Sequence, residues 1–183
     1  MDEKILQKVF KAYDIRGRYP EELSPEFYYH LGRAYVTRFK AKKLVIGHDI
    51  RPESKKLKEH LMEGIMDSGC DVTDVGEVAT EMIYFAAGEY YQVYDGGLVV
   101  TASHNPTGWN GCKMVAKNSK PIGKATGLHD LREIMLKEDY VAKDKGTLSE
   151  LDIYPAFKEK VLSFITSKKK KDLDLIVDAG NGI

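Results

Sequence analysis

Gly97-Leu-Val-Val-Thr-Ala-Ser-His-Asn-Pro106 is a short apolar run that stops on a set of polar side chains. Leu98 to Val100 reads as a buried strand. Ser103, His104 and Asn105 follow where that strand gives way to a loop. Pro106 removes a backbone donor and keeps Asn105 out of helical geometry. In an α/β sheet, the carboxyl end of a buried strand is where ligands bind and chemistry is done. Ser103 beside His104 is therefore a candidate nucleophile or phosphate carrier. The same residues are also good turn chemistry, since Ser and Asn bond local backbone and Pro stops a strand. The surrounding sequence has to decide between the two.

Outward from this stretch, strands and helices alternate. Lys8 to Ala12 is expected to be a first short strand, ending at Tyr13-Asp-Ile-Arg-Gly17. Ser24-Pro25-Glu26 opens a helix, with Ser as cap, Pro at the first position and Glu in the first turn. Phe27, Leu31, Ala34, Tyr35 and Phe39 then recur at helical spacing. Leu44 to Ile46 reads as a buried strand closing on Gly47-His-Asp-Ile-Arg51. Ser54 starts a second helix with Leu57, Leu61, Met62 and Ile65 on one side and Gly69 at its stop. Val72 to Val75 and Lys113 to Ala116 read as strands, and Thr80 to Tyr91 and Thr126 to Met135 as helices. The rhythm predicts an α/β fold over residues 1–140, a three-layer α/β/α sandwich with a mixed sheet. Residues 141–150 are polar, carry Gly146 and read as a linker. Over 151–183 a helix with Phe157, Val161, Leu162 and Ile165 and a strand at Leu173 to Asp178 read as the truncated start of a second, similar domain. The chain is thus expected to be a piece of a longer protein.

Charge narrows the function. In 183 residues, 28 Lys and Arg balance 28 Asp and Glu. No global field draws the chain to nucleic acid or to an anionic membrane. The run Lys168 to Lys171 reads as a solvated loop. No apolar stretch is long enough to span a bilayer, and no apolar segment of a secretory signal follows Met1. Cys70 and Cys112 lack metal-type spacing, read as small core residues and fit a reducing cytoplasm.

Several loops at strand ends carry groups suited to phosphate. Tyr13 and Arg16 lie on the first, Arg51 on the second, and Ser103 and His104 on the loop after Val100. Lys113 follows a turn marked by Gly108, Asn110 and Gly111. Arg offers phosphate a bidentate fork and Lys a point charge. Arg16 and Arg51 have a second reading, in which they pair with Asp14 and Asp49 and only shape their turns; for Arg51 this is the favoured one. Lys113, between Cys112 and Met114, must reach solvent or a site. Tyr13 can also be read as an aromatic at a sheet end, and His104 as a residue that only orders the serine loop. No Gly-x-Ser-x-Gly elbow surrounds Ser103, and no Walker-type phosphate loop is present.

Five motifs in order make the chain recognisable: Phe10-Lys-Ala-Tyr-Asp-Ile-Arg-Gly17, Gly47-His-Asp-Ile-Arg51, Thr101-Ala-Ser-His-Asn-Pro106, Asn110-Gly-Cys-Lys-Met114 and Val177-Asp-Ala-Gly-Asn-Gly182. Together they resemble the α-D-phosphohexomutase superfamily, most closely its phosphomannomutase/phosphoglucomutase branch. The resemblance implies four domains around one cleft, of which this chain supplies the first and the opening of the second. It implies exchange of phosphate between the C1 and C6 oxygens of a phosphorylated hexose substrate, through a phosphoserine and a bisphosphate intermediate. Ser103 would be the phosphoserine and one ligand of Mg²⁺, with hexose 1,6-bisphosphate as activator. Lys113 and Arg16 would stabilise the transferring phosphate. Tyr13 would contact the substrate, and His104 would act as acid/base or positioner. The partners implied are the remaining mutase domains. The family's Asp-rich metal loop, sugar-selecting loop and phosphate clamp do not occur in this sequence. Trp109 and Cys112 depart from the residues more usual there. Tyr13-Asp-Ile-Arg-Gly17 favours the mannose/glucose branch, with phosphoglucosamine mutase as the alternative within the superfamily. A non-catalytic module that binds phosphosugar or a partner protein is the alternative from another class.

Overall fold

The structure is a computed structural model and describes residues 1–166 and 174–178. Its frame is one mixed sheet with helices on both faces. The elements, in chain order, are α1 (Glu3–Val9), β1 (Ile15–Arg18), α2 (Pro25–Phe39), β2 (Lys43–His48), α3 (Ser54–Asp67), β3 (Asp71–Glu77), α4 (Thr80–Glu89), β4 (Gly96–Val100), β5 (Trp109–Ala116), β6 (Lys120–Pro121), α5 (His129–Lys137), β7 (Leu148–Glu150) and α6 (Tyr154–Ser163). The sheet runs β1-β5-β4-β2-β3-β7, with β6 added alongside β5. β4, β2, β3 and β7 are parallel, whereas β5 lies antiparallel to β4, β1 and β6. The three-layer sandwich expected from the sequence is the fold observed.

The period of two along each strand sorts the core into two layers. Leu44, Ile46, Leu98, Val100, Cys112 and Met114 face α1, α2, α3 and α5, where Phe27, Leu31, Tyr35, Leu57, Leu61, Ile65 and Leu131 meet them. Val45, Val99 and Val115 face the other way, onto Ile83, Ala86 and Ala87 of α4. Strands buried on both faces read as unbroken apolar runs, as Leu98-Val-Val100 does. The helix caps follow the sequence: the Ser24 side chain accepts a hydrogen bond from Phe27 N at 3.2 Å, with Pro25 in the first turn.

Four expectations need correction. Lys8 to Ala12 is not a strand. Asp2 caps a helix by accepting from Lys4 N, and Leu6 and Val9, three apart, bury the same side, so the chain is helical through Val9 and the strand begins at Ile15. Thr126 to Met135 is not one α-helix: a π-helical turn over Lys124–Leu128, with Gly127 at φ 148°, precedes α5. The segment 141–150, expected as a linker, ends inside the sheet. β7 pairs with β3, with Val72 opposite Leu148, and Thr147 donates from both its backbone N and its hydroxyl to Asp71 Oδ1. A sheet edge asks for backbone pairing rather than apolar side chains, so a polar segment can join it without leaving a hydropathy pattern. Finally, no strand forms over the described part of Leu173 to Asp178. Residues 174–178 have no sheet neighbour, and Ile176 is 99% exposed. The lysine run and Leu173 fall outside the described residues.

After β7 the chain crosses to the α4 face. There the Phe157 ring of α6 stands 5.5 Å from that of Phe85, and Lys160 pairs with Glu89 at 2.9 Å. No helix among the described residues is long and apolar enough to cross a membrane.

Leu98, fully buried at the centre of β4, ties the site-bearing strand to the core. Leu98→Ala is expected to lower stability by about 2–5 kcal/mol, the range for a leucine truncated in a packed interior. Urea unfolding followed by circular dichroism measures it.

Candidate functional site

β4 does not simply run out. Thr101 N–H donates to Gly111 O at 3.0 Å, which extends the β4–β5 pairing by one residue. The Thr101 hydroxyl then accepts from Ser103 N at 2.9 Å, and Asn105 N donates to Ala102 O at 3.1 Å. These bonds close a tight bend in which Ser103 takes a left-handed conformation, φ 54°. That conformation costs a non-glycine residue roughly 1–2 kcal/mol. The bend points the serine out of the sheet while its neighbours on both sides stay tied down. Ser103 is half-buried and His104 exposed. His104 Nδ1 lies 3.5 Å from Ser103 Oγ, at the far limit of a hydrogen bond.

Beneath the bend lies Arg51. It is only 8% exposed, and its guanidinium donates to four carbonyls of one loop. Nη2 reaches Ser103 O at 3.1 Å and Asn105 O at 2.5 Å; Nη1 reaches Pro106 O and Trp109 O at 3.2 Å each. Nε faces Asp49 Oδ2 at 3.5 Å as an ion pair. The turn-locking read from Asp-x-Arg is present, since Arg51 N donates to Asp49 Oδ1 at 3.1 Å. The side chain, however, goes elsewhere: across more than fifty residues of sequence to the serine loop. Hydrogen-bonding reach of that kind leaves no local sequence signal.

Asp49 is itself held by Ser54, whose hydroxyl donates to Oδ1 at 2.6 Å. Ser54 Oγ accepts from Asn110 Nδ2 at 3.0 Å, and Asn110 Oδ1 accepts from Gly111 N at 2.8 Å and from the Tyr28 hydroxyl at 3.2 Å. Asn110, fully buried, is thus a joint in a polar network from β2 through α3 to β5 rather than a surface contact.

The sheet brings Arg16 and Lys113 to one face. Arg16 stands opposite Gly111, and Lys113, two residues further along β5, stands opposite Val99. Cross-strand partners and alternate residues share a face, so Arg16, Lys113 and Thr101 project to the same side as Val99, the α4 side. Gly111 makes room for this: a Cβ there would meet Ile15 O, Thr101 O and the Arg16 side chain. Arg16 gives Nε and Nη2 to Asp14 Oδ2, at 3.0 and 2.8 Å, which leaves Nη1 without a hydrogen bond among the described residues. Lys113 has no hydrogen bond or ion pair among the described residues. Tyr13, in the bend before β1, is 81% exposed, and no hydrogen bond or ring contact ties it to the other four. The strand register thus brings Arg16 and Lys113 to the β4–β5–β1 end of the sheet, where Ser103 and His104 follow β4, and Tyr13 lies exposed in the bend that leads into β1.

A Mg²⁺ ion takes six oxygens in near-octahedral geometry. Among the described residues no group of three or more His, Cys, Asp or Glu is placed to hold a metal. Ser103 Oγ is the one expected ligand on this chain, and by themselves these residues do not form a Mg²⁺ site. Burial pushes the Cys112 thiol far up and that of Cys70 to about 12, which takes both out of thiolate chemistry.

A mixed sheet of this order with helices on both faces is an alpha/beta/alpha domain. The chain belongs to the phosphoglucomutase/phosphomannomutase family, whose alpha/beta/alpha domain I matches residues 7–142. It is 41% identical over 179 residues to a phosphomannomutase of Vibrio cholerae, covering 94% of this chain and 38% of that protein. It is 44% identical over 147 residues to a phosphomannomutase of Klebsiella pneumoniae, covering 79% of this chain and 92% of that one. A crystal structure of a phosphoglucomutase/phosphomannomutase family protein from Burkholderia thailandensis superposes with a TM-score of 0.80 at 29% identity, over 89% of this chain and 37% of the other. The chain thus spans well under half the length of the Vibrio relative.

Two outcomes follow from the buried groups. Ser54→Ala removes the donor to Asp49 and the acceptor of Asn110, and is expected to lower stability by about 1–3 kcal/mol in urea unfolding. Both cysteines, protonated at pH 8 because their pKa values are raised, are expected to resist iodoacetamide in the folded chain and to react once it is denatured; rapid labelling of the native chain would contradict this.

Proposed function

We propose that this chain is the phosphoserine-bearing part of a hexose phosphomutase acting on mannose or glucose phosphates. Residues 1–140 would form the first domain, with 151–183 opening the second, and later domains would complete the cleft. The observation that carries the reading is the serine itself: a left-handed Ser103 held at the carboxyl end of β4, on the sheet end where an unpartnered Lys113 and a half-used Arg16 share one face. A cation on a strand with no acid to neutralise it is suited to an anion that comes and goes with turnover.

In this reading the Ser103 Oγ–P bond breaks as a sugar hydroxyl forms its own bond to the phosphorus, giving a hexose bisphosphate. The hydroxyl proton passes to a base, for which His104, exposed beside the serine, is the candidate on this chain, and the departing Ser103 Oγ takes up a proton, so that the serine is left as a neutral hydroxyl. The reverse step returns the other phosphate to Oγ. Lys113 and the free Nη1 of Arg16 would counter the charge of the transferring group, by positioning and electrostatics rather than covalent chemistry. Tyr13, exposed and unattached, would meet the substrate only when the cleft closes over it. Mg²⁺ would neutralise charge on the transferring group; beyond Ser103, its ligands would have to come from outside this chain. A hexose 1,6-bisphosphate would prime the serine. A reducing cytoplasm suits the two free, buried thiols. The names of the relatives favour the mannose/glucose branch over phosphoglucosamine. The thin metal donor set is what favours the second reading, a phosphosugar-binding module without turnover.

The test couples glucose 1-phosphate conversion to a dehydrogenase. The 183-residue chain alone is expected to show no turnover, because remote binding that positions the sugar is worth roughly 7–11 kcal/mol of barrier and is not supplied. Joined to the later domains, it is expected to be active, with Ser103→Ala reducing kcat by about 10³-fold or more and Lys113→Met by about 10²-fold. Full activity in Ser103→Ala would overturn the mutase reading. Binding of the sugar phosphate without turnover in the joined protein would establish the module.

A further inference from the structure

We propose that Arg51 is a positioning residue for Ser103, acting through the loop and touching neither substrate nor phosphate. The proposal rests on Ser103 being the phosphoryl carrier, but its structural half does not need turnover to be tested.

Four carbonyls of the segment 103–109 turn toward a single guanidinium. Those carbonyls belong to the serine itself and to residues two, three and six positions later, so the whole bend is pinned from below at both ends. No other side chain among the described residues does this; the further tie from the β1 side is Tyr19 N, which donates to Gly108 O at 2.9 Å. Beyond the Arg51 contacts, the internal bonds of the loop are Asn105 N to Ala102 O, Ser103 N to Thr101 Oγ1 and Trp109 N to Pro106 O. With the carbonyls drawn inward, the backbone N–H groups of His104, Thr107 and Gly108 are left with no acceptor among the described residues. The His104 amide, next to the serine, and the successive amides of Thr107 and Gly108 are therefore the loop's free donors, a type of group suited to an anion. Arg51 would set the left-handed bend that projects Oγ and, by drawing the carbonyls inward, leave those donors uncommitted.

Lysine cannot substitute for this. A guanidinium is a planar fork with five donors at fixed angles; an ammonium is a point charge with three. Arg51→Lys keeps the charge opposite Asp49 but cannot span carbonyls from Ser103 to Trp109. Trp109 supplies a built-in reporter: it is the chain's one tryptophan, and its carbonyl is among the four that Arg51 holds.

The experiment compares the wild-type chain with Arg51→Lys by tryptophan fluorescence and by hydrogen exchange read on peptides. Expected are a red shift and greater acrylamide quenching of Trp109, with at least about tenfold faster exchange over 103–109. Exchange over β2 and β4 should stay at the wild-type level. Should Arg51→Lys fail to fold, the double variant Asp49→Asn with Arg51→Gln removes the charge pair as a unit and leaves neither charge buried alone. It is expected to show the same loosened loop on an intact core. A folded variant with unchanged Trp109 emission and unchanged loop exchange would overturn the proposal. So would a double variant that also unfolds, which would make Arg51 a residue of the core.

In the protein that carries the later domains, Arg51→Lys is expected to lower kcat by about 10²-fold with KM unchanged, since misplacement of a reacting group by about 1 Å costs that much. Unchanged kcat with a loosened loop would overturn the positioning role. If Ser103→Ala is fully active in the same assay, the mutase reading fails instead, and the loop measurements tell the two failures apart.

Discussion

A serine made to protrude from the end of a buried strand has to be held there against the preferences of its own backbone. In this fold a single buried guanidinium does most of that holding. The left-handed bend at Ser103 costs roughly 1–2 kcal/mol. A hydrogen bond to a charged group contributes about 1.5–3 kcal/mol net, and Arg51 makes four to the loop. Burying the charge costs several kcal/mol by itself, offset by Asp49 and by the carbonyl dipoles around it. The balance favours the bend only while the fork is complete. The network that continues from Asp49 through Ser54 to Asn110 and Tyr28 then fixes the fork to α3, α2 and β5. The site is rigid because it hangs from the core on polar ties.

This arrangement also explains the division of the cations. Arg51, Arg16 and Lys113 were all suited by type to phosphate, but their surroundings give them different work. Arg51 is saturated by carbonyls and buried. Arg16 has half its fork on Asp14 and one nitrogen to spare. Lys113 has no partner among the described residues and projects beside Val99, on a face that Gly111 keeps clear. Only the last two are placed to answer a change of charge at the serine. A chain with no net charge can still present local positive charge where its cations gather at one sheet end.

Much of this was legible in the sequence. Leu98-Val-Val100 ending in polar residues announced both the buried strand and the loop that carries Ser103, because a strand covered on both faces needs apolar residues throughout. Ser24-Pro25-Glu26 announced α2 through cap chemistry that is local. What escaped were features settled by distant partners. Lys8 to Ala12 has strand-like residues, but Asp2 and the Leu6–Val9 pair make it helical. Leu148 to Glu150 is polar, yet β3 offered it an edge. Arg51 looked like the lock of its own turn, and the lock is there, but its guanidinium serves a loop that sequence distance hides. Tyr13, read as part of the constellation, is exposed in the bend before β1.

Phosphopeptide mapping decides whether the serine does what its placement suggests. The protein joined to its later domains is incubated with glucose 1,6-bisphosphate, digested and analysed by mass spectrometry. If Ser103 is the carrier, one phosphoryl group appears on the peptide spanning Thr101 to Lys113, is localised to Ser103, and is lost again when excess glucose 1-phosphate is added. Phosphate settling on any other residue, or a Ser103 that stays unmodified while the enzyme turns over, would contradict it.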